Sequence, residues 1–240
     1  MNFLLNLKIE KNMFKILTFY IIFLFANSLS CQNWDFKKPD YKKIEININN
    51  KNTSLFYNNL LEQYKKADST MTLEEKRHLY YGYIFQSSYK PYDTSHYSDS
   101  LRSLMKKDNH DKIDLKKIIR FGDSILVENP FDLRVINNQL YAHKENQENN
   151  LYNLKLTQYR IVFDALMSSG DGTSKQNSFY VIYTSHEYAL VNILGLKFGG
   201  KQSLTGDYDY LTVSENEFGI EGLYFNVTPC LDHLEKTLKK

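Results

Sequence analysis

The sequence predicts an α+β protein in which helical hairpins come first and a small antiparallel β-sheet with a final helix comes last. Over residues 51–168, apolar residues recur at helical spacing between capping and stop signals. After residue 169, turn residues separate short stretches in which apolar and polar residues alternate, as they do in strands. The 240 residues are 42% hydrophobic and 24% charged, which excludes collagen-like, disordered and polytopic membrane proteins.

Residues 1–30 are typical of a secretory signal peptide. The apolar run over residues 16–26 holds eleven residues, which is too few to span a bilayer because a span requires about 20. Lys15 supplies the positive charge that precedes the apolar run of a signal peptide. Because residues 1–12 add an acidic residue and a second apolar patch, we expect translation to start at Met13.

Cys31 follows the small residues Ser28 and Ser30, as a cysteine does when it is acylated and becomes the N-terminus of a bacterial lipoprotein. The usual pattern places leucine three residues before the cysteine, whereas Leu29 is two residues before it. Three outcomes are open: lipid attachment at Cys31, which we favour, secretion without a lipid, and an uncleaved anchor. We expect any contact with a membrane to go through a lipid on Cys31.

Removal of residues 1–30 leaves an electrically balanced protein. Those residues hold three of the 30 basic residues and one of the 28 acidic residues, so the remainder has 27 of each. Nucleic-acid binding depends on a basic surface, which a neutral chain does not provide. We therefore exclude nucleic acids as partners.

The first part of the body is predicted to be helical after a polar segment over residues 31–50, which begins a short helix or strand. Ser54 is expected to cap the first long helix, and Thr72 with Glu75 forms a capping box at the start of the second. The predicted helices span residues 55–67, 73–85, 98–107, 115–128, 130–144 and 151–168.

The helices after Asp114 resemble a tetratricopeptide unit. Asp114 is expected to cap one helix, and Asn129 with Pro130 ends that helix and starts the next one. Residues 114–149 thus hold a helix, a break, a helix and a polar turn, which is close to the length of one repeat. Because a stable array requires about three such units, we expect antiparallel helical hairpins instead.

Residues 169–240 change to turns and strands, and we expect this region to pack on the helices as part of one domain. Ser185 is expected to cap the helix in this region, and Thr228 with Pro229 begins the last helix. The predicted elements are a strand over residues 179–183, a helix over 186–194, strands over 203–213 and 220–227, and a helix over 228–238.

Three near-matches to catalytic motifs lack an essential residue. Residues 195–202 nearly form a phosphate-binding loop, but Gln202 replaces the hydroxyl residue that binds Mg²⁺. Residues 186–190 nearly form the zinc motif HExxH, but position 190 is leucine instead of the second histidine. Ser103 and Lys106 have the spacing of acylating serine enzymes without their partner motifs. We therefore expect no cofactor and no metal.

The helix over residues 73–85 carries the first group of candidate binding residues. Helical spacing places Arg77 among aromatic residues, with His78 at the border of that face. A buried arginine requires an acceptor or a ring face. We favour an arginine at the edge of the core that pairs with a carboxylate; the alternative is a pocket for an anion or a sugar. Besides Arg77 and His78, that pocket would include Tyr80, Tyr81, Tyr89 and Tyr92.

His186 and Glu187 begin a predicted helix and form the second group. Acidic residues at helix starts interact favourably with the helix dipole, and we favour this capping role. A catalytic acid–base role would require His186 and Glu187, or Asp171, to converge on a cleft. Cys230 lies at the start of the last helix, where we expect it to pack in the core rather than to react.

Three segments resemble a known family. They are RHLYYGYIFQ over residues 77–86 with KPY over 90–92, SGDG over 169–172 followed by FYVIYTSHEYALVNILGL over 179–196, and DYDYLTVSENEFGIEGLYFNV over 207–227. The chain resembles the exported proteins of Bacteroidetes type that are grouped as domain of unknown function 4919, over roughly residues 34–238. The resemblance implies an envelope-directed protein without an established activity, and it supplies no catalytic residues.

The sequence therefore favours a non-enzymatic module of the cell envelope, periplasmic or lipid-anchored, that binds an envelope protein or a small ligand. The alternative is a hydrolase with an unfamiliar histidine–carboxylate site that acts on glycans or peptides. The hydrolase would bring His186, Glu187 and Asp171 together at a cleft, close to Arg77 or His78.

Overall fold

Helices precede a small sheet in residues 36–239, the part of the chain that this computed structural model describes. The helices are α1 (Tyr41–Asn49), α2 (Tyr57–Lys65), α3 (Leu73–Gly82, followed by a 3₁₀ turn over Tyr83–Phe85), α4 (Ser98–Leu104), α5 (Lys112–Glu128), α6 (Leu133–Glu145), α7 (Asn149–Met167), α8 (Ser185–Ile193) and α9 (Thr228–Leu238). The strands are β1 (Phe179–Tyr180), β2 (Phe198–Thr205), β3 (Tyr208–Val213) and β4 (Gly222–Asn226). This order confirms the predicted α+β class.

The sheet has the strand order β1-β4-β3-β2. Strands β3 and β4 pair antiparallel, as predicted, and β2 pairs antiparallel with β3. Strand β1 is shorter than predicted and pairs parallel with β4, where Phe179 lies opposite Phe225. The sheet is therefore mixed, because the chain crosses over through α8 and the β2–β3 hairpin before it returns beside β1.

The prediction of a single strand over residues 203–213 is wrong. The segment contains the end of β2 and all of β3, which are joined at Gly206 and Asp207. Gly206 has a φ of +61°, a left-handed conformation that glycine adopts without strain. The apolar–polar alternation continues through this turn and hides it, although Gly-Asp is itself a hairpin signal.

The capping box at the start of α3 is confirmed, and the predicted cap of α5 is wrong. Thr72 Oγ1 accepts a hydrogen bond from the Glu75 amide at 3.3 Å, and the Glu75 carboxylate accepts one from the Thr72 amide at 2.8 Å. Asp111, rather than Asp114, caps α5. Asp114 lies in the first turn and forms an ion pair with Lys107 at 2.8 Å, so the aspartate one turn earlier is the one that accepts the free amides.

Three other predicted helix starts also differ from the structure. Helix α6 begins after Asp132, whose carboxylate accepts the amide of its third residue, so Pro130 lies in the preceding turn. Ser54 lies in a turn before α2, which has no side-chain cap. Ser185 is the first residue of α8 rather than its cap. Of these three helices, α6 alone has a side-chain cap, so a residue with a capping preference does not by itself determine where a helix begins.

Two hydrophobic clusters fill the interior of the part of the chain that the structure describes. The larger one joins α1, α2, α3, α7, α8 and the sheet, and its largest fully buried side chains include Tyr80, Tyr81 and Phe131. The smaller one lies between α4, α5 and α6. Helices α5, α6 and α7 pack in series, as helical hairpins do, and α8 contacts both α6 and β2.

Within residues 36–239, no helix is long and apolar enough to cross a membrane. The predicted signal peptide, the start at Met13 and the lipid site at Cys31 lie outside the described residues.

Candidate functional site

His186 lies in the core and is hydrogen-bonded through both ring nitrogens. Tyr80 Oη donates to Nδ1 at 2.7 Å, and Nε2 donates to the Phe131 carbonyl at 2.9 Å. The Ile182 amide in turn donates to Tyr80 Oη at 3.2 Å. Because a carbonyl oxygen can only accept, Nε2 carries the proton and Nδ1 is the acceptor. Neither nitrogen is available to a substrate in this arrangement.

The environment of His186 keeps the imidazole neutral. Burial lowers its pKa to about 4, against the opposing effects of Asp132 and of the bond to the Phe131 carbonyl. A neutral imidazole that is bonded at both ends joins α8 to α3 and to the segment before α6. This network therefore has the character of a structural connection.

Arg77 and His78 are also bonded inside the fold. Arg77 Nη1 donates to Ser168 Oγ at 2.5 Å and Nη2 donates to the Lys37 carbonyl at 2.6 Å. Its guanidinium lies 5.5 Å from the centre of the Tyr81 ring, and within residues 36–239 it forms no ion pair with the carboxylate that we expected. His78 Nδ1 donates to the backbone carbonyl of its own helix at 2.8 Å, while Nε2 accepts from an asparagine amide of α1 at 3.0 Å.

Of the remaining tyrosines of the predicted pocket, two lie in the core and one lies at the surface. Tyr81 Oη donates to the Ala165 carbonyl at 3.2 Å, and Tyr89 Oη donates to the Ile182 carbonyl at 2.7 Å. Tyr92 is 46% exposed and lines a cleft. The aromatic face of α3 thus belongs to the core, and Tyr92 belongs to a different part of the surface.

Asp171 and Glu187 have separate surroundings. The Asp171 carboxylate accepts bonds from the amide and hydroxyl of Thr173 at 2.9 and 2.7 Å, within its own turn. In the described part of the chain, no hydrogen bond joins Asp171 to His186 or Glu187. His186 bonds toward α3, whereas the neighbouring Glu187 is fully buried on the sheet side of α8, where it interacts with Asp209 on β3.

Asp209 is the residue of this region that sequence reasoning missed. It is 5% exposed, and its Oδ2 accepts a bond from the Gln202 side-chain amide. Burial, followed by the charge of Asp209, raises the pKa of Glu187 to about 9. A signal was present in the sequence, because strand alternation places Asp209 on the same face as the buried residues Leu211 and Val213.

Solvent-accessible clefts with polar walls lie instead around the starts of α6 and α8. A cleft of about 510 Å³ lies between the loop over residues 88–95 and these two helix starts, and a second of about 360 Å³ continues between α6 and α8. A third, of about 240 Å³, lies beside α4. Arg134 lines all three, and we call their joint surface the Arg134 groove. Its walls include Tyr92, Ser95, Arg134, Asn137, Ser185 and Tyr188.

The groove presents several kinds of polar group to solvent. Arg134 is exposed and forms no ion pair within residues 36–239. The first cleft is lined by serine and threonine hydroxyls together with acidic and basic side chains, and the second is lined by the amides of Asn137 and Asn192. Tyr92 is among the residues that line the first cleft, and Tyr188 is among those that line the second. No local pattern in the sequence indicates Arg134, because an arginine in the first turn of a helix is usually part of a solvated surface.

The described residues do not meet the requirements of a metal site. Among the residues that the structure describes, no group of three or more histidine, cysteine, aspartate or glutamate residues is placed to hold a metal ion. Cys230 is fully buried, and burial raises the pKa of its thiol to about 12. A thiol in that setting is protonated and unreactive at neutral pH.

The fold and the site define an α+β protein with an internally bonded histidine and an open polar groove. The chain belongs to the family described as domain of unknown function DUF4919, which matches residues 42–236 and confirms the resemblance noted in the sequence. No curated protein and no solved structure matches the chain. The family description names no activity, so it assigns no role to the residues of the groove.

Proposed function

We propose that this protein is an exported, non-enzymatic binding protein of the cell envelope that holds an oligosaccharide in the Arg134 groove. One observation carries the proposal. The groove gathers an exposed arginine, hydroxyls, amides and aromatic rings on one open surface, whereas the histidines and the arginine of the predicted sites are bonded inside the fold.

The envelope location rests on the signal-like residues 1–30 and on Cys31 after them. A lipid on Cys31 would hold the protein at a membrane, and removal of the signal leaves a body of balanced charge. An acyl group and its diacylglyceryl partner chains together give durable attachment, whereas a single chain does not. The lipid on Cys31 is thus the proposed contact with the membrane.

An oligosaccharide fits the chemistry of the groove. Sugars offer hydroxyl groups along their edges and apolar C–H faces, so they suit a surface that alternates hydrogen-bonding groups with tyrosine rings. Arg134 has five donors in a planar fork and suits a carboxylate or a pair of sugar oxygens. The volumes of the two adjoining clefts, about 510 and 360 Å³, favour several linked sugar units over one.

The hydrolase alternative stays a prediction. A general acid or base has to reach the bond that reacts, directly or through one water. His186 uses both ring nitrogens to bond Tyr80 and Phe131, and Glu187 is fully buried. These contacts favour binding over catalysis.

The replacement Arg134→Ala tests the proposed binding site. We expect the protein without its signal segment to bind a subset of acidic or neutral oligosaccharides on a glycan array, and the variant to bind them at least about tenfold more weakly, a loss of about 1.4 kcal/mol. Arg160→Ala is the matched control, because Arg160 is exposed on α7 and lies outside the groove. Equal binding by the two variants, or no binding of any glycan by the unaltered protein, would contradict the proposal.

A further inference from the structure

We propose that Glu187 and Asp209 form a proton-binding pair, in which one proton shared between the two carboxyl groups fastens helix α8 to the sheet at neutral pH. This inference goes beyond the binding function and stands whether or not the groove holds a sugar.

Among the described residues, three buried carboxyl oxygens of Glu187 and Asp209 lack a hydrogen-bond partner. Glu187 is 0% exposed, and within residues 36–239 neither of its carboxyl oxygens receives a hydrogen bond. Asp209 faces it from β3, and its Oδ1 also receives none in that part of the chain. Gln202 donates one hydrogen of its amide to the other Asp209 oxygen and accepts a bond from Tyr188 Oη at 2.5 Å. The side chains of Glu187 and Asp209 lie within hydrogen-bonding reach of each other, so each can serve as the partner that the other's unmet oxygens lack.

Two buried carboxylates cannot bond to each other unless one of them carries a proton. With a proton on Glu187, its hydroxyl donates to Asp209 Oδ1, and one charge-assisted hydrogen bond satisfies both groups. Without it, two negative charges lie together in a medium of low dielectric constant, where their repulsion and their desolvation both destabilise the fold.

Within residues 36–239, no basic group is among those that act on the pKa of Glu187. In the described part of the chain, the titratable groups that interact with Glu187 are Asp209 on β3, Cys230 on α9, Tyr188 on α8 and Tyr92 in the loop before α4, all of which are acids. Neighbouring His186 is neutral and bonded on the far side of α8. Burial raises the pKa of Glu187 to about 9, which agrees with a proton held by this carboxyl group.

The position of the pair gives the proton a mechanical role. Glu187 lies in the first turn of α8, and Asp209 lies in β3, the strand between β2 and β4. Their bond therefore joins the helix directly to the interior of the sheet. The same helix carries Ser185 and Tyr188 into the groove, so the proton also holds one groove wall in place.

The sign of the pH effect follows from the two states. In the unfolded chain Glu187 loses its proton near its ordinary pKa of 4.5, whereas in the folded chain it keeps the proton to about 9. Between these values the folded state holds more protons, so this group makes the unfolding equilibrium constant rise about tenfold per pH unit as the pH rises. The stabilisation that the Glu187 proton provides is complete below the pKa of the unfolded chain. It is lost progressively between the two pKa values, and above the higher one it is absent.

The experiment combines a direct titration with matched variants. We expect the carboxyl carbon of Glu187, followed by NMR in ¹³C-glutamate-labelled protein, to titrate near pH 9. Denaturant unfolding is measured over the same pH range for the unaltered protein, Glu187→Gln and Glu217→Gln, where Glu217 is an exposed control on the β3–β4 loop. In Glu187→Gln the new side-chain amide donates to Asp209 without a titrating proton, so this variant should gain stability over the unaltered protein as the pH rises, while Glu217→Gln follows the unaltered protein.

Titration of Glu187 below about pH 6 would overturn the proposal, and so would a constant stability difference between Glu187→Gln and the unaltered protein at every pH. Stabilisation by added Ca²⁺ that depends on Glu187 would also count against it, since a cation would then occupy the place of the proton. If Glu187→Gln does not fold, Asp209→Asn serves instead: the new amide donates to Glu187 and should move its titration well below pH 9, and an unchanged titration contradicts the pair.

Discussion

The Tyr80 hydroxyl is the middle of a hydrogen-bonded chain that runs from the Ile182 amide through His186 to the Phe131 carbonyl. Each member of this chain is buried, so each bond replaces one that water would otherwise make. The residue therefore joins α3, the segment after β1 and α8 through a single oxygen atom.

Replacement of Tyr80 by phenylalanine tests this connection. The change leaves the Ile182 amide and His186 Nδ1 buried without partners, and we expect a loss of about 2 kcal/mol in the free energy of unfolding, measured in urea. Tyr57→Phe is the control, because the Tyr57 hydroxyl is buried and has no partner within residues 36–239. Its removal should change stability little, and equal effects of the two replacements would contradict the proposed role of the chain.

The sequence predicts some of these residues and hides others. Helical spacing correctly places Tyr80 and Tyr81 on one face of α3, because that spacing depends only on local geometry. The partners of His186 lie 106 and 55 residues away along the chain, so no local pattern indicates that both nitrogens are occupied. Asp209 lies between these cases: strand alternation indicates its burial, but its partner on α8 appears only in the fold.

At the scale of elements, helices α5 and α6 approach each other closely at Gly122. A Cβ atom added there would lie 2.7 Å from Gln139 Nε2 and 2.8 Å from its Cγ. Gln139 is fully buried and is held by bonds from Nε2 to the Ile119 carbonyl at 2.9 Å and to Asp123 at 2.7 Å. Glycine at this position allows the two helices to pack around the amide.

The replacement Gly122→Ala should therefore destabilise the protein, although alanine is by about 1 kcal/mol the better helix former. We expect a net loss of about 1–3 kcal/mol from displacement of Gln139, measured by thermal or denaturant unfolding. Lys116→Ala on the exposed face of α5 controls for helix propensity alone. A gain in stability from Gly122→Ala would show that the helices do not approach as closely as described.

The start of a helix can be predicted from the sequence where two residues cap each other, as Thr72 and Glu75 do at the start of α3. Their bounds are ambiguous where several residues satisfy the same preference, as Asp111 and Asp114 do before α5. The turn at Gly206 shows a third case, in which alternation across a tight hairpin resembles one longer strand.

At the scale of the whole molecule, the candidate binding surface depends on the assembly of distant segments. Tyr92, Arg134 and Tyr188 belong to a loop, α6 and α8, and they meet because α8 packs against α6. No segment of the sequence contains the groove, so it is visible in the folded chain alone. The proposed envelope role, by contrast, rests on residues 1–31, outside the described part of the structure.

Export is the claim on which the envelope role depends, and the mass of the N-terminal peptide tests it most directly. Protein extracted from membranes of cells that make it should begin at Cys31 and carry the added mass of its lipid, and an inhibitor of lipoprotein signal cleavage should cause the longer precursor to accumulate. A chain recovered from the cytosol that still contains residues 16–26 would contradict export, and an unmodified Cys31 at the N-terminus would contradict the lipid.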